Sequence, residues 1–239
     1  MGGQPASGKS SLISAIKLKV MDCFAVNGDE YRQYHPNYLE LIHHPNIFSK
    51  ETQIFSNVFT ENLIKDAANR KYNLIIEGTM RNPDVPAITA RVLKEKRYKV
   101  GIAVIAAHPK ITELGVYRRY IEQMQKFGYG RLADIESHNQ ACSGLLVSVD
   151  TVYNCKSVDF IKVYSYLGKK ELAYYDLING CRNCSVPPSV VIQQERKAQV
   201  SDKTILKDHL ELGAHAIKNI DDGDIKSKME VVMAELKSM

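Results

Sequence analysis

The stretch that decides the fold lies at the start of the chain and reads Gly3-Gln4-Pro5-Ala6-Ser7-Gly8-Lys9-Ser10. It fits G-x-x-x-x-G-K-[ST], the phosphate-binding P-loop. Its glycines let the backbone curl so that successive N–H groups point at phosphate oxygens. In this pattern Lys9 places a positive charge on the β- and γ-phosphates, and the Ser10 hydroxyl is a ligand for Mg²⁺. The stretch therefore predicts a site for ATP and magnesium.

The residues on either side of the loop bear on this interpretation. Ser11 to Ile16 reads as a helix, and the dipole at its N-terminus favours the same anion. A glycine-rich turn that matches by chance is the alternative, and the helix argues against it because the motif demands a helix there. A P-loop should also follow a buried strand, whereas only Met1 and Gly2 precede it. We therefore expect an upstream extension of roughly six to ten apolar residues to improve ATP binding and stability.

The totals are those of an ordinary globular protein. The chain has 239 residues, of which 44% are hydrophobic and 25% charged, with a net charge of +5. The basic charge suits a phosphate ligand, but it is spread along the chain, so we expect no nucleic-acid partner. We expect no membrane span and a cytoplasmic location. The five cysteines are read as ordinary thiols, because the lone pair Cys181 and Cys184 lacks a second pair at the spacing of a zinc site.

Apolar runs of strand length alternate with helical patterns along the chain. The predicted strands cover residues 20–26, 73–76, 100–107 and 159–164, with a further strand over 171–175 that pairs with the last of these. The predicted helices cover residues 51–71, 83–96, 117–126 and 133–150, and the chain from Pro187 onward is mostly helical. This alternation indicates parallel βαβ units, and with the P-loop it predicts an α/β, P-loop NTPase three-layer fold with a mostly parallel sheet and a helical C-terminal region.

Four charged side chains follow the predicted strands. In an α/β sheet the ligand lies over the carboxyl ends of the strands. Asp29 and Glu77 each follow a strand there, while Arg119 and Arg131 lie on the helix and loop beyond the most apolar strand. With Lys9 these residues form a set suited to phosphoryl transfer, in which cations offset the phosphate charge and a carboxylate takes the proton of the attacking hydroxyl.

Each of these assignments has an alternative. Asp29 lies in Asn27-Gly28-Asp29-Glu30, and its alternative role is to cap the next helix without taking part in catalysis. Arg119 or Arg131 taken alone is more often a solvated surface charge. Glu77 is harder to dismiss, because a carboxylate beside a buried strand needs a partner.

Four ordered blocks of the chain resemble zeta toxins, the UDP-N-acetylglucosamine kinases of toxin–antitoxin systems. The blocks are the loop and helix of residues 2–12, Asn27–Tyr31 followed by His35–Tyr38, Leu74–Arg81 followed by Asp84–Pro86, and Tyr117–Tyr120 followed by Arg131. Together they span about residues 1–150. Ala6 departs from the pattern, since it stands where the family usually has glycine.

The resemblance implies a role for each matched residue. The ATP-binding segment would be Gly3, Gln4, Pro5, Ala6, Ser7, Gly8, Lys9, Ser10 and Ser11, with Ser10 as the ligand of Mg²⁺. Asp29 would be the base that activates the 3′-hydroxyl of the sugar. Glu77, Thr79 and Arg81 would contact the nucleotide sugar. Arg119 and Arg131 would clamp the phosphates of ATP and act in catalysis together with Lys9.

The function that the resemblance implies is an ATP-dependent kinase that phosphorylates UDP-N-acetylglucosamine and so inhibits cell-wall synthesis. Its partners would be ATP, a UDP-amino sugar and a small helical antitoxin protein. Three alternatives stay open: a P-loop kinase of another small hydroxyl substrate, a nucleic-acid end kinase, and a catalytically inactive nucleotide-binding module. We expect a P-loop kinase domain over residues 1–180 and a C-terminal helical extension over 181–239.

Overall fold

The computed structural model describes residues 1–20 and 22–239, in which strands and helices alternate as predicted. Within these ranges the strands are β1 (Cys23–Asn27), β2 (Asn73–Glu77), β3 (Gly101–Ile105), β4 (Phe160–Tyr164), β5 (Glu171–Ile178) and β6 (Cys181–Arg182). The longer helices are α1 (Lys9–Lys17), α5 (Gln53–Asn69), α6 (Asp84–Glu95), α7 (Pro109–Phe127), α8 (Ile135–Asn154), α9 (Pro188–Ser201), α10 (Lys203–Ile217) and α11 (Gly223–Lys237). Three short α-helices and one 3₁₀-helix (Arg32–Tyr34) lie between β1 and α5, and the α-helices are α2 (Gly28–Tyr31), α3 (Tyr38–Leu41) and α4 (Pro45–Glu51). Met21, which the predicted strand 20–26 includes, lies outside the described residues.

The strands form a mostly parallel arrangement. β1 pairs with β2 and β3 with β4 in parallel, while β5 is antiparallel to β4 and β6 to β5. In the first pair Asn27 lies opposite Glu77, so the carboxyl ends of β1 and β2 are level. The predicted pairing of residues 171–175 with the preceding strand is confirmed, and β6 was not predicted.

The residues before the P-loop lie between β2 and β3. The Gly2 amide donates to the Ala103 carbonyl at 2.8 Å, and the Ile105 amide donates to the Gly2 carbonyl at 3.1 Å. On the other side, the Gly78 amide donates to the Met1 carbonyl at 3.0 Å. Met1 and Gly2 therefore satisfy backbone groups of β3 and of the residue that follows β2. The benefit of further apolar residues upstream stays a prediction.

Helices cover both faces of the sheet because β3 is apolar on both sides. Val104 belongs to a core that includes Leu145 and Val149 of α8. The next residue, Ile105, points to the opposite face and packs with Leu12 of α1. Alternation along a strand thus produces the predicted three layers, with the sheet between two layers of helices.

The C-terminal helices bury apolar side chains against the rest of the chain. Ile192 of α9 lies in the same core as the sheet residues. Met229 and Leu236 of α11 pack with Leu114 and Ile121 of α7. The division at residue 180 stays a prediction. Among the described helices, none has both the length and the apolar character that a membrane span requires.

The helix α5 buries a different side from the one its sequence suggests. Its predicted apolar stripe includes Ile54 and Val58, whose exposed fractions are 78% and 54%. The buried residues of α5 are small ones, Ser56, Ala67 and Ala68, which allow the helix to approach its neighbours closely. In α5, the size of the side chains therefore decides which face is buried more than their hydrophobicity does.

Two other boundaries differ from the prediction. The strand expected over residues 20–26 is Cys23–Asn27, and the Asn27 side chain caps α2 by accepting from the Asp29 amide at 3.0 Å. The helix expected from Tyr117 already begins at Pro109, because proline suits the first turn of a helix, where its missing N–H costs nothing.

Candidate active site

The P-loop owes its shape to two residues in the left-handed region. Gly8 has φ 95° and precedes α1, and a Cβ at this position would lie 2.6 Å from the Leu167 backbone. Only glycine satisfies both conditions. Ala6 has φ 60°, a conformation that costs a residue with a Cβ about 1–2 kcal/mol. The departure from glycine at Ala6 therefore adds strain to the loop and leaves its path intact.

Buried polar side chains hold the loop in place. Gln4 is fully buried and donates from Nε2 to the Ala107 carbonyl at 2.7 Å. Arg196 of α9 donates to the same carbonyl at 2.9 Å, to the Cys142 carbonyl at 3.0 Å and to Oε1 of Gln4 at 3.5 Å. A helix from the C-terminal region thus braces the phosphate-binding loop.

We expect Arg196→Met to weaken both the fold and ATP binding. The substitution removes the donors that Arg196 supplies to Oε1 of Gln4 and to the Cys142 carbonyl, and it leaves Gln4 as the remaining donor to the Ala107 carbonyl. A buried polar group left unsatisfied costs about 1–3 kcal/mol. The melting temperature should fall by on the order of 5–10 °C, and the dissociation constant for ATP should rise because Gln4 loses a neighbour. Calorimetry and ATP titration measure the two effects.

The neighbouring exposed Lys197 supplies the matched control, since Lys197→Met removes a positive charge from the same helix without touching the loop. Equal melting temperature and ATP affinity in Arg196→Met and the wild type would contradict the bracing role.

Lys9 lies inside the loop beside Glu77. Its Nζ donates to the carbonyls of Gly3 at 2.7 Å and Gln4 at 3.0 Å, and it is 3.8 Å from Oε1 of Glu77. Burial lowers the pKa of Lys9, while Glu77 and Asp29 oppose this effect. Burial likewise raises the pKa of Glu77, against the pull of Lys9. Because burial disfavours the charged lysine, an anionic phosphate beside it would stabilise the positive form.

Asp29 lies inside α2 and is bound by two arginines. Its Oδ1 accepts from Nη2 of Arg131 at 2.8 Å and from Nε of Arg32 at 3.2 Å. The cap of α2 is Asn27, so the helix-cap alternative for Asp29 does not hold. Burial raises the pKa of the Asp29 carboxyl, but Arg131 and Arg32 outweigh burial and hold this pKa well below its usual range. The carboxylate is therefore ionised throughout the physiological pH range.

Arg119 and Arg131 place guanidinium groups in the same site as Asp29 and Glu77. The Nε atoms of both side chains are buried and have no hydrogen-bond partner among the described residues. Burial, followed by the charge of Arg131, lowers the pKa of Arg119, and Asp29 and Glu77 oppose them. Arg131 is held by its own amide, which donates to Oε1 of Gln123 at 2.8 Å. Two guanidinium groups with unused donors fit an anion with several oxygens, such as a polyphosphate.

The remaining predicted residues lie outside this cluster of contacts. Ser10 and Ser11 are exposed at the start of α1, and Thr79 is half-buried after β2. Arg81 is exposed, and its Nη1 donates to Oγ of Ser137 on α8 at 3.3 Å. In the ranges 1–20 and 22–239, no ion pair joins Arg81 to Asp29 or Glu77.

The donor set at the loop fits magnesium bound with a nucleotide. The described ranges contain no group of three His, Cys, Asp or Glu side chains placed to hold a metal. Mg²⁺ in kinase sites takes most of its ligands from phosphate oxygens and water, with one or two from the protein. The exposed Ser10 hydroxyl beside Lys9 suits this kind of site.

Sequence reasoning missed Arg32 and Arg196. Arg32 is three residues after Asp29, and this spacing on one helical turn was an available signal. Arg196 gave no local signal, because it meets Gln4 across 192 residues of chain.

Comparisons with known proteins show to which proteins the chain is similar. The family model described as Zeta toxin matches residues 1–178. The protein Toxin zeta of Enterococcus hirae is 32% identical over 210 residues, which cover 86% of this chain and 71% of that protein. Toxin PezT of Streptococcus pneumoniae is 40% identical over 125 residues, which cover 51% of this chain and 49% of that protein.

A solved structure is similar over most of the chain. It comes from a characterisation of the PezAT chromosomal toxin–antitoxin system of Streptococcus pneumoniae. The TM-score is 0.75 at 25% sequence identity, and the match covers 90% of this chain and 83% of the other. The predicted P-loop α/β fold is thereby confirmed.

Proposed function

Because this chain belongs to the zeta toxin family, we propose that it is an ATP-dependent kinase that phosphorylates the 3′-hydroxyl of the amino sugar of UDP-N-acetylglucosamine. Such a reaction removes a building block of the cell wall, which is the basis of toxicity in this proposal. The main observation in support of this proposal is the ion pair between Asp29 and Arg131, at 2.8 Å, which lies close to the ion pair between Lys9 and Glu77, at 3.8 Å.

The proposed reaction transfers one phosphoryl group. The sugar hydroxyl oxygen forms a bond to the γ-phosphorus of ATP, and the bond from that phosphorus to the β–γ bridging oxygen breaks. Asp29 orients the hydroxyl, takes its proton and later releases it to solvent, so the products are the phosphate monoester, ADP and one proton. Lys9, Arg119 and Arg131 bind the phosphate oxygens and offset their charge in the transition state. Ser10 would be the protein ligand of Mg²⁺, which would supply further positive charge to the phosphates.

Glu77, Thr79 and Arg81 are proposed to bind the nucleotide sugar. Glu77 lies level with the end of β1, opposite Asn27, which places its carboxylate near Asp29 along the same edge of the sheet. Its raised pKa and its neighbour Lys9 make it suited to hydrogen bonding with a sugar hydroxyl. Arg81 is exposed and could reach the diphosphate of the substrate.

A protein antitoxin is the proposed macromolecular partner. The similar structure comes from a study of a toxin–antitoxin system, and the curated relatives carry toxin names. A small helical protein that blocks the P-loop would restrain a kinase whose product harms the cell.

The proposal is tested by incubating the purified chain with Mg²⁺–ATP and one of three acceptors: UDP-N-acetylglucosamine, its 3′-deoxy analogue, or a short nucleic acid with a free 5′-hydroxyl. We expect a new phosphomonoester, detected by ³¹P NMR, with the first acceptor alone. Transfer to the nucleic acid would favour the end-kinase alternative. ATP binding without transfer to any acceptor would favour the inactive nucleotide-binding module.

A further inference from the structure

Two arginines bind the same oxygen of Asp29 and differ in how they are held. Arg32 and Arg131 both donate to Oδ1. In the part of the chain that the structure describes, Oδ2 accepts no hydrogen bond, and the side chain is 50% exposed. One oxygen of the carboxylate is thus fully engaged while the other is free to accept a proton from a ligand.

Arg32 is fixed by its surroundings. Its side chain is 5% exposed, and its Nη1 donates to the Ser49 carbonyl at 2.8 Å and to Oγ1 of Thr52 at 2.6 Å. Its Nη2 donates to Oε1 of Gln53 at 2.8 Å. These partners belong to α4, α5 and the residue between them, so the guanidinium cannot leave without breaking buried hydrogen bonds.

Arg131 is held by fewer contacts. Its guanidinium has one ion-pair partner among the described residues, Asp29, and its Nε is buried without a hydrogen bond. It lies next to Gly130 in the loop that follows α7, three residues after Gly128, which has φ 74°. A side chain with an unsatisfied donor can exchange its carboxylate partner for a phosphate oxygen at low cost.

We propose that Arg32 is a positioning residue that keeps Oδ1 of Asp29 engaged, so that Oδ2 remains the proton acceptor when Arg131 turns to phosphate. This rests on the proposed kinase function, because that function supplies both the phosphate and the proton. Without Arg32, the Asp29 carboxylate would be held only by its ion pair with Arg131, and it would change its orientation when Arg131 moves.

The electrostatics support two distinct roles for the arginines. The charged groups that face Asp29 come from five different parts of the chain, and they are Arg32, Arg131, Lys9, Arg119 and Glu77. If Arg131 moves away, Arg32 is the cation that still donates a hydrogen bond to the carboxylate. Asp29 then stays ionised at the moment when it must accept a proton.

The test compares Arg32→Gln and Arg32→Lys with the wild type. An opposite charge at this distance lowers a carboxyl pKa by about 1–3 units, so Arg32→Gln should raise the pKa of Asp29 by at least ~1 unit. This is measured by ¹³C NMR titration without nucleotide. We expect kcat to fall on the order of 10–100-fold, with little change in the KM for ATP, because a misplaced reacting group slows the chemical step.

The acid limb of the kcat profile should also move to higher pH in Arg32→Gln. The folded state of the wild type keeps Asp29 ionised, so activity is retained as the pH falls until that carboxylate binds a proton. In the variant the proton binds at a higher pH. Arg32→Lys keeps the charge and should shift the limb less, while kcat still falls because lysine lacks the planar fork.

Two controls separate positioning from stability. Thr52→Val removes one hydrogen bond of Arg32 and leaves its contact with Asp29, so it should lower the melting temperature without raising the pKa of Asp29. Arg70→Gln breaks an exposed pair with Asp66 of 3.0 Å and should change neither quantity. The proposal is overturned if Arg32→Gln leaves the pKa of Asp29 unchanged, or if Thr52→Val lowers kcat equally. A wild type that phosphorylates no sugar nucleotide would instead refute the proposed function.

Discussion

In Asp29→Asn we expect kcat for phosphorylation of the sugar nucleotide to fall about 10²–10⁴-fold, which is the usual loss when a general base is removed. Asparagine keeps the shape of the side chain and an oxygen that can accept from Arg32 and Arg131, but it cannot take a proton. The Kd for ATP should change little, because Asp29 contacts neither Lys9 nor the loop carbonyls directly. Single-turnover kinetics and ATP titration measure the two quantities.

The neighbouring carboxylate provides a matched control for this experiment. Glu30 is the next residue of α2, is exposed, and accepts from the Asn27 side chain at 3.2 Å. Glu30→Gln makes the same chemical change one residue away and should leave kcat within about twofold of the wild type, as expected for surface substitutions. Near-full turnover in Asp29→Asn would refute the assignment of the base.

Arg119→Ala and Arg131→Ala should each lower kcat on the order of 10³-fold, the low end of the effect known for arginines that stabilise a transferring phosphoryl group. The KM for the sugar nucleotide should change much less, because both guanidinium groups are proposed to act on phosphate oxygens that become more strongly bound in the transition state. Steady-state kinetics with each substrate varied in turn separate these effects.

The two arginine variants should differ in their pH dependence. Arg131 pairs directly with Asp29 in the absence of nucleotide, so its removal raises the pKa of that carboxyl and moves the acid limb of kcat/KM to higher pH. Among the described residues, Arg119 forms no ion pair with Asp29 and acts on it only through its charge, so its removal should move the limb less. Arg118→Ala is the control, because the one ion pair of Arg118 among the residues that the structure describes is with the exposed Glu122, at 3.7 Å. Unchanged kcat with a large rise in the KM for the sugar would contradict the phosphate role.

Much of the candidate site could be predicted because its requirements are local. The P-loop needs glycine where φ is positive, and a lysine and a hydroxyl at the start of a helix, all within eight residues. Asp29 and Glu77 were located by the rule that parallel strands share one carboxyl edge, and β1 and β2 end level with each other. The family resemblance added roles that position alone does not give.

The long-range contacts that complete the site could not be predicted from local sequence rules. Helix α5 buries its face of small residues and not its apolar stripe. Small side chains allow neighbouring elements to pack closely, but the sequence does not show which face of the helix those elements contact. Met1 and Gly2 serve as strand residues because backbone groups along β2 and β3, some 75 to 103 residues away, need partners.

The sequence by itself determined the phosphate-binding loop, the α/β class and the strand ends beside which Asp29 and Glu77 lie, because local conformational rules and side-chain chemistry act over a few residues. Only the tertiary structure decided which arginine and lysine side chains lie beside each carboxylate and each buried acceptor. Arg32 meets partners 17 to 21 residues away, and Arg196 meets Gln4 across 192. A buried guanidinium has to find its acceptors wherever packing places them, and packing is set by the whole chain at once.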